Sequence, residues 1–146
     1  MRQEQEEGIK RALTLGEITM ARSVYGNIIN YTKIVVHCDS YFPFGAQPKY
    51  TAMAPNGELW FRKELYWKDF AFADKEDQHT FIHEMAHVWQ HQKGIWVRTR
   101  GLFSGLVSYY YKLEKTRLND YGMEQQASII ADYWYLKTYG VNVFFC

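Results

Sequence analysis

The chain has 146 residues, of which 47% are hydrophobic and 23% are charged, and its formal net charge at pH 7 is +1. This length suits one domain with one core, and the composition is that of a folded protein rather than a disordered one. We therefore expect residues 1–146 to form a single domain. The near-neutral charge provides no basic surface, which argues against nucleic acid and anionic lipid as partners and against a metal-dependent nuclease.

Targeting signals are not evident in the sequence. The first ten residues, MRQEQEEGIK, lack the apolar run of a secretory signal, and no window reaches the roughly 18 apolar residues that a membrane span requires. We expect a soluble protein that is cytoplasmic by default. Export by a route that uses no N-terminal signal remains compatible with the sequence. Cys38 and Cys146 are too few for a disulfide framework and lie in no CxxC pattern, so their redox state is not indicated.

The N-terminal part of the chain has the features of two helices. Residues 2–12 are polar and compatible with a helix, which predicts a short helix loosely attached to the domain. Thr14 is a good N-cap for a second helix over residues 15–25, where apolar side chains recur at helical spacing. Gly26 ends this predicted helix.

The next part of the chain has the features of a small sheet. The β-branched run over residues 33–38 predicts a strand, and the prolines and glycine of residues 43–48 predict a loop. Residues 50–54 and 58–62 flank the turn signal Pro55-Asn56-Gly57, which predicts a β-hairpin.

Three helices are predicted for the second half. The first begins at Asp74 and ends at Gly94, with apolar residues at helical spacing between them. The second is rich in tyrosine and covers roughly residues 103–115, and the third covers about residues 121–139 and ends at Gly140. Because the strands are grouped together and the helices lie around them in the chain, the order predicts an α+β fold.

Four of the five histidines recur at intervals of four in the stretch HTFIHEMAHVWQH, residues 79–91. On a helix, side chains four residues apart project from the same side, so two such histidines can bind one metal ion. Each interval of four rotates the direction by about 40°, so one ion cannot use all four histidines. Only the pair His83 and His87 forms the motif HExxH, because Glu84 follows the first histidine.

In HExxH, the two histidines bind zinc and the glutamate acts as general base towards the zinc-bound water. We therefore predict one Zn²⁺ held by His83 and His87, with Glu84 as the catalytic residue. The remaining histidines receive other roles. We expect His79 and His91 to face solvent or the rim of a groove, and His37 to be a structural residue of its strand.

A catalytic zinc ion usually has three protein ligands and one water. The metzincin pattern would need a glycine at position 90 and a histidine at position 93, where this chain has Gln90 and Lys93, so that class is excluded. Glu124 on the last helix is the preferred third ligand, and Glu114 is the next candidate. Small residues follow Glu124 at helical spacing and allow two helices to approach closely. These residues are Ala127, Ser128 and Ala131.

One aspartate and three tyrosines are candidates for supporting roles at this site. Asp132 lies two turns beyond Glu124 and is expected to accept the free N–H of a zinc-bound imidazole, which would orient that ring. Tyr121, Tyr109 and Tyr110 are candidate hydrogen-bond donors to a developing oxyanion.

Several segments of the chain resemble a family of small bacterial HExxH proteins that are labelled Rhs- or Vgr-related, or type VI secretion-associated, zinc-metallopeptidase-like. The narrower match lies in HEMAHVWQ, in residues 121–127 (YGMEQQA) and in residues 131–133 (ADY). The likeness covers about residues 13–135 and includes LTLGEI, PFG and APNG upstream of the motif.

The resemblance implies a minimal zincin-like fold with N-terminal helices and a small, mostly antiparallel sheet. In that fold, the HExxH helix packs beside a C-terminal helix that supplies the third ligand. Carried over to this chain, His83, His87 and Glu124 would hold the zinc ion and Glu84 would be catalytic.

Two functions are compatible with these observations. The leading hypothesis is a zinc-dependent hydrolase of peptide-type amide bonds, linked to a bacterial secretion or toxin system. Its peptide substrate would pair with the sheet edge near residues 58–62. The alternative is a non-catalytic, zinc-stabilised interaction or accessory protein of such a system, which the small size and the high aromatic content favour.

Overall fold

The computed structural model describes residues 5–95 and 110–140. Within these ranges the chain forms three α-helices and one four-stranded sheet, which confirms the α+β class. The helices are α1 (Leu15–Tyr25), α2 (Lys75–Gln92) and α3 (Met123–Tyr139). The strands are β1 (Ile9–Ala12), β2 (Val35–Cys38), β3 (Ala52–Met53) and β4 (Leu59–Phe61).

The helices have the ends that their sequences predict. The Thr14 hydroxyl accepts a hydrogen bond from the backbone N–H of Glu17, and the Glu17 carboxylate accepts one from the N–H of Thr14, which forms a capping box at the start of α1. Gly26 ends this helix with a φ of 58°, a conformation that costs glycine little. The N-cap of α2 is Asp74. The predicted helices over residues 15–25, 74–94 and 121–139 are therefore confirmed.

The tyrosine-rich helix predicted over residues 103–115 falls partly outside the described residues, because residues 103–109 are not among them. Residues 110–115 are described, and they form an irregular segment and a turn rather than a helix. This segment leads through a short 3₁₀ turn, Leu118–Asp120, into α3.

The loosely attached helix predicted for residues 2–12 is wrong where the structure describes that segment. Ile9–Ala12 instead forms β1, which pairs antiparallel with β2 in the register Ile9↔Cys38 to Ala12↔Val35. The physical reason is tertiary, because β2 offers a free edge for backbone hydrogen bonds and the side chain of Arg11 reaches the buried carboxylate of Glu17.

The sheet has the strand order β1-β2-β4-β3. β1 and β2 are antiparallel, β2 and β4 are parallel, and β4 and β3 are antiparallel, so the sheet is mixed with two antiparallel pairings of three. The predicted hairpin is confirmed with shorter strands. However, β4 lies inside the sheet, so residues 58–62 cannot offer the edge that was expected to pair with a substrate.

Helix α2 lies at the centre of the fold and packs against α3, β3 and β4. Its apolar face is fully buried, and the sheet and α3 contribute the opposing side chains. These include Leu59 and Phe61 from β4 and Ala127, Ala131 and Trp134 from α3. Of the helices in the described ranges, none is long and apolar enough to cross a membrane.

Candidate metal centre

His83 and His87 of α2 meet Glu124 of α3 at the interface of the two helices. The Nε2 atom of His83 lies 3.1 Å from one carboxylate oxygen of Glu124, and the Nε2 atom of His87 lies 3.0 Å from the other. One potential ligand atom from each residue lies within 4.8 Å of the other two. The structure thus brings together the three residues that were predicted as metal ligands.

The local sequence explains why these side chains meet. His83 and His87 are one helical turn apart and therefore project from the same side of α2. Ala127 and Ala131 are fully buried, so α3 can approach closely enough for a short carboxylate to reach both rings. Glu114, the other candidate for the third ligand, is exposed and is not part of the group of three.

The charges at the centre are strongly coupled. Burial alone would raise the pKa of Glu124, but the hydrogen bonds with His83 and His87 dominate and lower its pKa to about 2. For His87 the directions are reversed, because burial alone would lower the pKa of an imidazole. The hydrogen bond with Glu124 and the charge of Glu84 outweigh burial and raise the pKa of His87 to about 9. The Glu124 carboxylate is therefore ionised at neutral pH and can donate an electron pair to a metal ion.

Two imidazole nitrogens and one carboxylate oxygen are a usual ligand set for catalytic zinc. The convergence of all three donor atoms within 4.8 Å fits a single ion of that kind. The residues present therefore fit Zn²⁺.

Glu84 lies on α2 between the two histidines and is buried, with 7% relative exposure. Burial raises the pKa of its carboxyl group, and the neighbouring His87 and His83 rings oppose that increase. A carboxyl group with a raised pKa is better matched to proton transfer near neutral pH than an exposed one. The position and the environment of Glu84 both suit a general base.

Asp132 lies beside the centre but has partners other than those expected. One carboxylate oxygen lies 2.7 Å from Nε2 of His79, and the other accepts a hydrogen bond from the Tyr111 hydroxyl. Asp132 thus pairs with His79 and not with a ligand histidine, and His79 is half-buried rather than simply solvent-facing. The reason is that α2 and α3 run in opposite directions, so a residue two turns after Glu124 lies opposite a residue before His83.

The tyrosines that were considered as oxyanion donors occupy different positions. The Tyr121 hydroxyl accepts a hydrogen bond from the backbone N–H of Lys115 at 3.0 Å, so it holds the segment before α3 against the helix. Tyr110 is exposed, and Tyr109 lies outside the described residues. We assign none of them to the oxyanion.

The other two histidines lie around the β3–β4 turn. His37 stacks on Trp60 with ring centroids 3.6 Å apart, and its Nε2 atom lies 2.7 Å from the carboxylate of Glu58. These contacts agree with a structural role in the sheet. His91 is exposed, and its ring packs against Gly57, where an added Cβ would lie 2.5 Å from the ring.

One residue at the centre was missed by the sequence analysis. Gln90 is fully buried, and its Oε1 atom lies 2.8 Å from Nδ1 of His87. In the sequence, position 90 serves only to exclude the metzincin pattern, which needs a glycine there. The available signal was a polar, hydrogen-bonding residue at the i+3 position from His87, which places it next to a predicted ligand on the helix.

No family model matches the chain. Among solved structures, the effector domain of Pseudomonas aeruginosa VgrG2b is similar, with a TM-score of 0.77 and 36% sequence identity. The similarity covers 93% of this chain and 80% of that one. The chain belongs to the VgrG2b effector-domain family.

A curated relative agrees with this assignment. The type VI secretion system spike protein VgrG2b of Pseudomonas aeruginosa is 39% identical over 135 residues, which is 87% of this chain. The chain spans 13% of the length of that spike protein. These relatives support the Vgr-related and type VI secretion-associated part of the resemblance. They do so at the level of the effector-domain family.

Proposed function

We propose that this member of the VgrG2b effector-domain family is a zinc-dependent hydrolase of peptide-type amide bonds. The observation that carries the proposal is the convergence of His83, His87 and Glu124 beside the buried Glu84. An HExxH helix, packed against a mixed sheet and joined by a glutamate from a later helix, also supports a zincin-like fold.

The chemistry follows from the side chains at the centre. A zinc ion held by the two histidines and Glu124 would supply Lewis-acid activation of a water molecule and of a substrate carbonyl group. The Glu84 carboxylate would accept a proton from the attacking water and then transfer it to the nitrogen of the leaving amine. The proton taken from water thus ends on the leaving amine, and Glu84 returns to its ionised form.

The strand order indicates where an extended peptide would bind. On the side of β4, the open edge of the sheet is β3, which packs against α2. The N–H of Arg62 donates to the carbonyl of Thr51, and the register pairs Ala52 with Phe61. Because hydrogen-bonded and non-hydrogen-bonded pairs alternate in an antiparallel pair, the backbone N–H and C=O of Ala52 point away from β4. Ala52 would therefore offer both groups to a substrate strand.

The relatives suggest how such an enzyme reaches its substrate. The similar solved structure is an effector domain, and the curated relative is a type VI secretion spike protein. We infer that this chain is likewise delivered by a type VI secretion system, with a component of that system as its protein partner. Export would then replace the cytoplasmic location that was expected by default.

Glu84→Gln tests the proposal directly, with bound zinc and cleavage of a peptide and peptidoglycan-fragment library as the two measurements. We expect the wild type to bind one zinc ion per chain and to cleave at least one member of the library. Glu84→Gln should retain zinc and lose roughly 10²- to 10⁴-fold in rate, since it removes the general base but no ligand. Glu114→Gln changes an exposed acid in the same way and should retain both zinc and rate.

The alternative function also has an observation in its favour, because the three ligands join α2 to α3 and a metal would stabilise that helix pair without any catalysis. Bound zinc, unfolding on zinc removal and no cleavage across the library would favour this interaction protein. Unchanged cleavage by Glu84→Gln would contradict the role of Glu84, and a wild type without zinc would contradict the metal centre.

A further inference from the structure

Gln90 is a polar side chain that is completely buried beside the metal centre, and each polar atom of its amide has a partner. Its Nε2 atom lies 3.0 Å from the backbone carbonyl of Met123 and 3.1 Å from Oε1 of Gln126. Its Oε1 atom lies 2.8 Å from Nδ1 of His87. The amide therefore links a predicted metal ligand on α2 to the first turn of α3.

The two backbone carbonyls determine the orientation of this network. A carbonyl oxygen can only accept a hydrogen bond, so the atom of Gln90 next to Met123 must be the NH₂ group. The same reasoning applies to Gln126, whose Nε2 atom donates to the carbonyl of Tyr121 at 2.9 Å. Gln126 therefore presents its oxygen to Gln90, and Gln90 must present its own oxygen to His87.

This orientation also determines the tautomer of His87. An amide oxygen cannot donate, so Nδ1 of His87 must carry a hydrogen to make the 2.8 Å contact. Nε2 lies 3.0 Å from the ionised carboxylate of Glu124, so it donates a hydrogen to that carboxylate when it binds no metal. Because Gln90 holds the other hydrogen on Nδ1, Nε2 is the nitrogen that can give up its hydrogen and offer its lone pair to a metal ion.

We propose that Gln90 is a positioning residue of the metal centre: held by the Met123 carbonyl and by Gln126, it keeps His87 in the tautomer whose Nε2 atom can bind metal. This inference rests on the zinc site of the proposed function. Gln90 differs from a carboxylate in the same place because it orients the ring without adding a negative charge to the centre.

The test compares Gln90→Met with Gln92→Met. Methionine has a similar length but neither donates nor accepts strongly, so Nδ1 of His87 would lose its partner. Gln92 is exposed at the end of the same helix and contacts Asn30. Zinc affinity, measured by competition with a chromophoric chelator, should fall roughly 10- to 100-fold in Gln90→Met and remain unchanged in the control. The visible absorption spectrum of the Co²⁺-loaded protein should also change only in Gln90→Met.

Two further measurements keep the inference testable if Gln90→Met does not fold, which circular dichroism of the metal-free protein would show. Gln126→Met removes only the second member of the network, so it should weaken zinc binding less than Gln90→Met. In the wild type, long-range ¹⁵N–¹H NMR of the zinc-loaded protein should show a protonated Nδ1 on His87.

The outcomes separate this inference from the proposed function. Equal zinc affinity in the wild type and in a folded Gln90→Met would overturn the positioning role and leave the hydrolase proposal intact. Protonation of Nε2 in zinc-loaded His87 would also overturn it. Weaker zinc binding in Gln90→Met would support it even if no peptide is cleaved, and a wild type that binds no zinc would refute both.

Discussion

At the scale of single residues, one buried carboxylate organises the N-terminal half of the molecule. Glu17 is completely buried and accepts two hydrogen bonds from Arg11, both at 2.8 Å. It also accepts hydrogen bonds from the backbone N–H groups of Thr14 and Phe70. Glu17 therefore joins β1, α1 and the turn that precedes α2, although its local sequence indicates only the capping box.

Glu17→Gln should destabilise the protein markedly, because it leaves the guanidinium of Arg11 without its ionic partner. Removal of one member of a buried ion pair typically costs about 3–5 kcal/mol. We expect about 3 kcal/mol, since Arg11 retains 21% side-chain exposure and solvent compensates part of the loss. Urea denaturation provides the measurement.

The matched control is Glu76→Gln, which changes an exposed acid in the first turn of α2. Its free energy of unfolding should stay within about 0.5 kcal/mol of the wild type. Equal stability of Glu17→Gln and this control would show that the buried pair contributes little.

At the scale of secondary-structure elements, the order of the strands decides which strand of the β3–β4 hairpin lies at a free edge of the sheet. The hairpin of β3 and β4 was predictable from the turn signal between its strands. The position of this hairpin in the sheet was not predictable, because β4 pairs with β2, which lies more than 20 residues earlier in the sequence. This parallel pairing buries β4 inside the sheet and leaves β3 at the edge.

Ala52→Pro tests whether that edge binds peptide. Proline is tolerated on an edge strand where the lost N–H faces solvent, so the fold should survive. The loss of one backbone hydrogen bond to the substrate, about 1 kcal/mol, should raise KM for long peptides roughly fivefold. Steady-state kinetics on peptides of increasing length provide the measurement.

Met53→Pro is the comparison variant, since the register directs its N–H towards Trp60 inside the sheet. It should lower the free energy of unfolding by about 1–3 kcal/mol, which Ala52→Pro should not do. An unchanged KM in a folded Ala52→Pro would indicate that peptides do not pair with β3.

At the scale of the whole molecule, the candidate metal centre joins the two longest helices of the described residues. His83 and His87 belong to α2, Glu124 belongs to α3, and the core of the domain lies along the same two helices. A ligand that binds only the folded state stabilises that state in proportion to the logarithm of its concentration. Zinc should therefore increase the stability of the entire domain.

Thermal unfolding with and without zinc measures this effect. At free zinc about 1,000 times above Kd, the wild type should gain about 4 kcal/mol. His91→Ala should gain the same amount, because His91 is exposed and packs against the β3–β4 turn. His87→Ala should gain much less, since it removes one ligand. Equal gains in His87→Ala and His91→Ala would place the zinc elsewhere.

The sequence by itself determined the features that depend on residues a few positions apart. Caps, glycine ends and apolar spacing predicted α1, α2 and α3, and HExxH selected His83 and His87 from four evenly spaced histidines. Such signals act within one or two helical turns, so they need no knowledge of the rest of the fold.

Only the tertiary structure decided the contacts between distant segments. The conversion of residues 9–12 into an edge strand, the burial of β4 and the pairing of His79 with Asp132 all join groups far apart in the chain. The same is true of Gln90, whose orientation comes from carbonyl groups on another helix. Pairing of this kind depends on which free edges and buried polar groups meet when the core forms, and polar composition alone does not encode it.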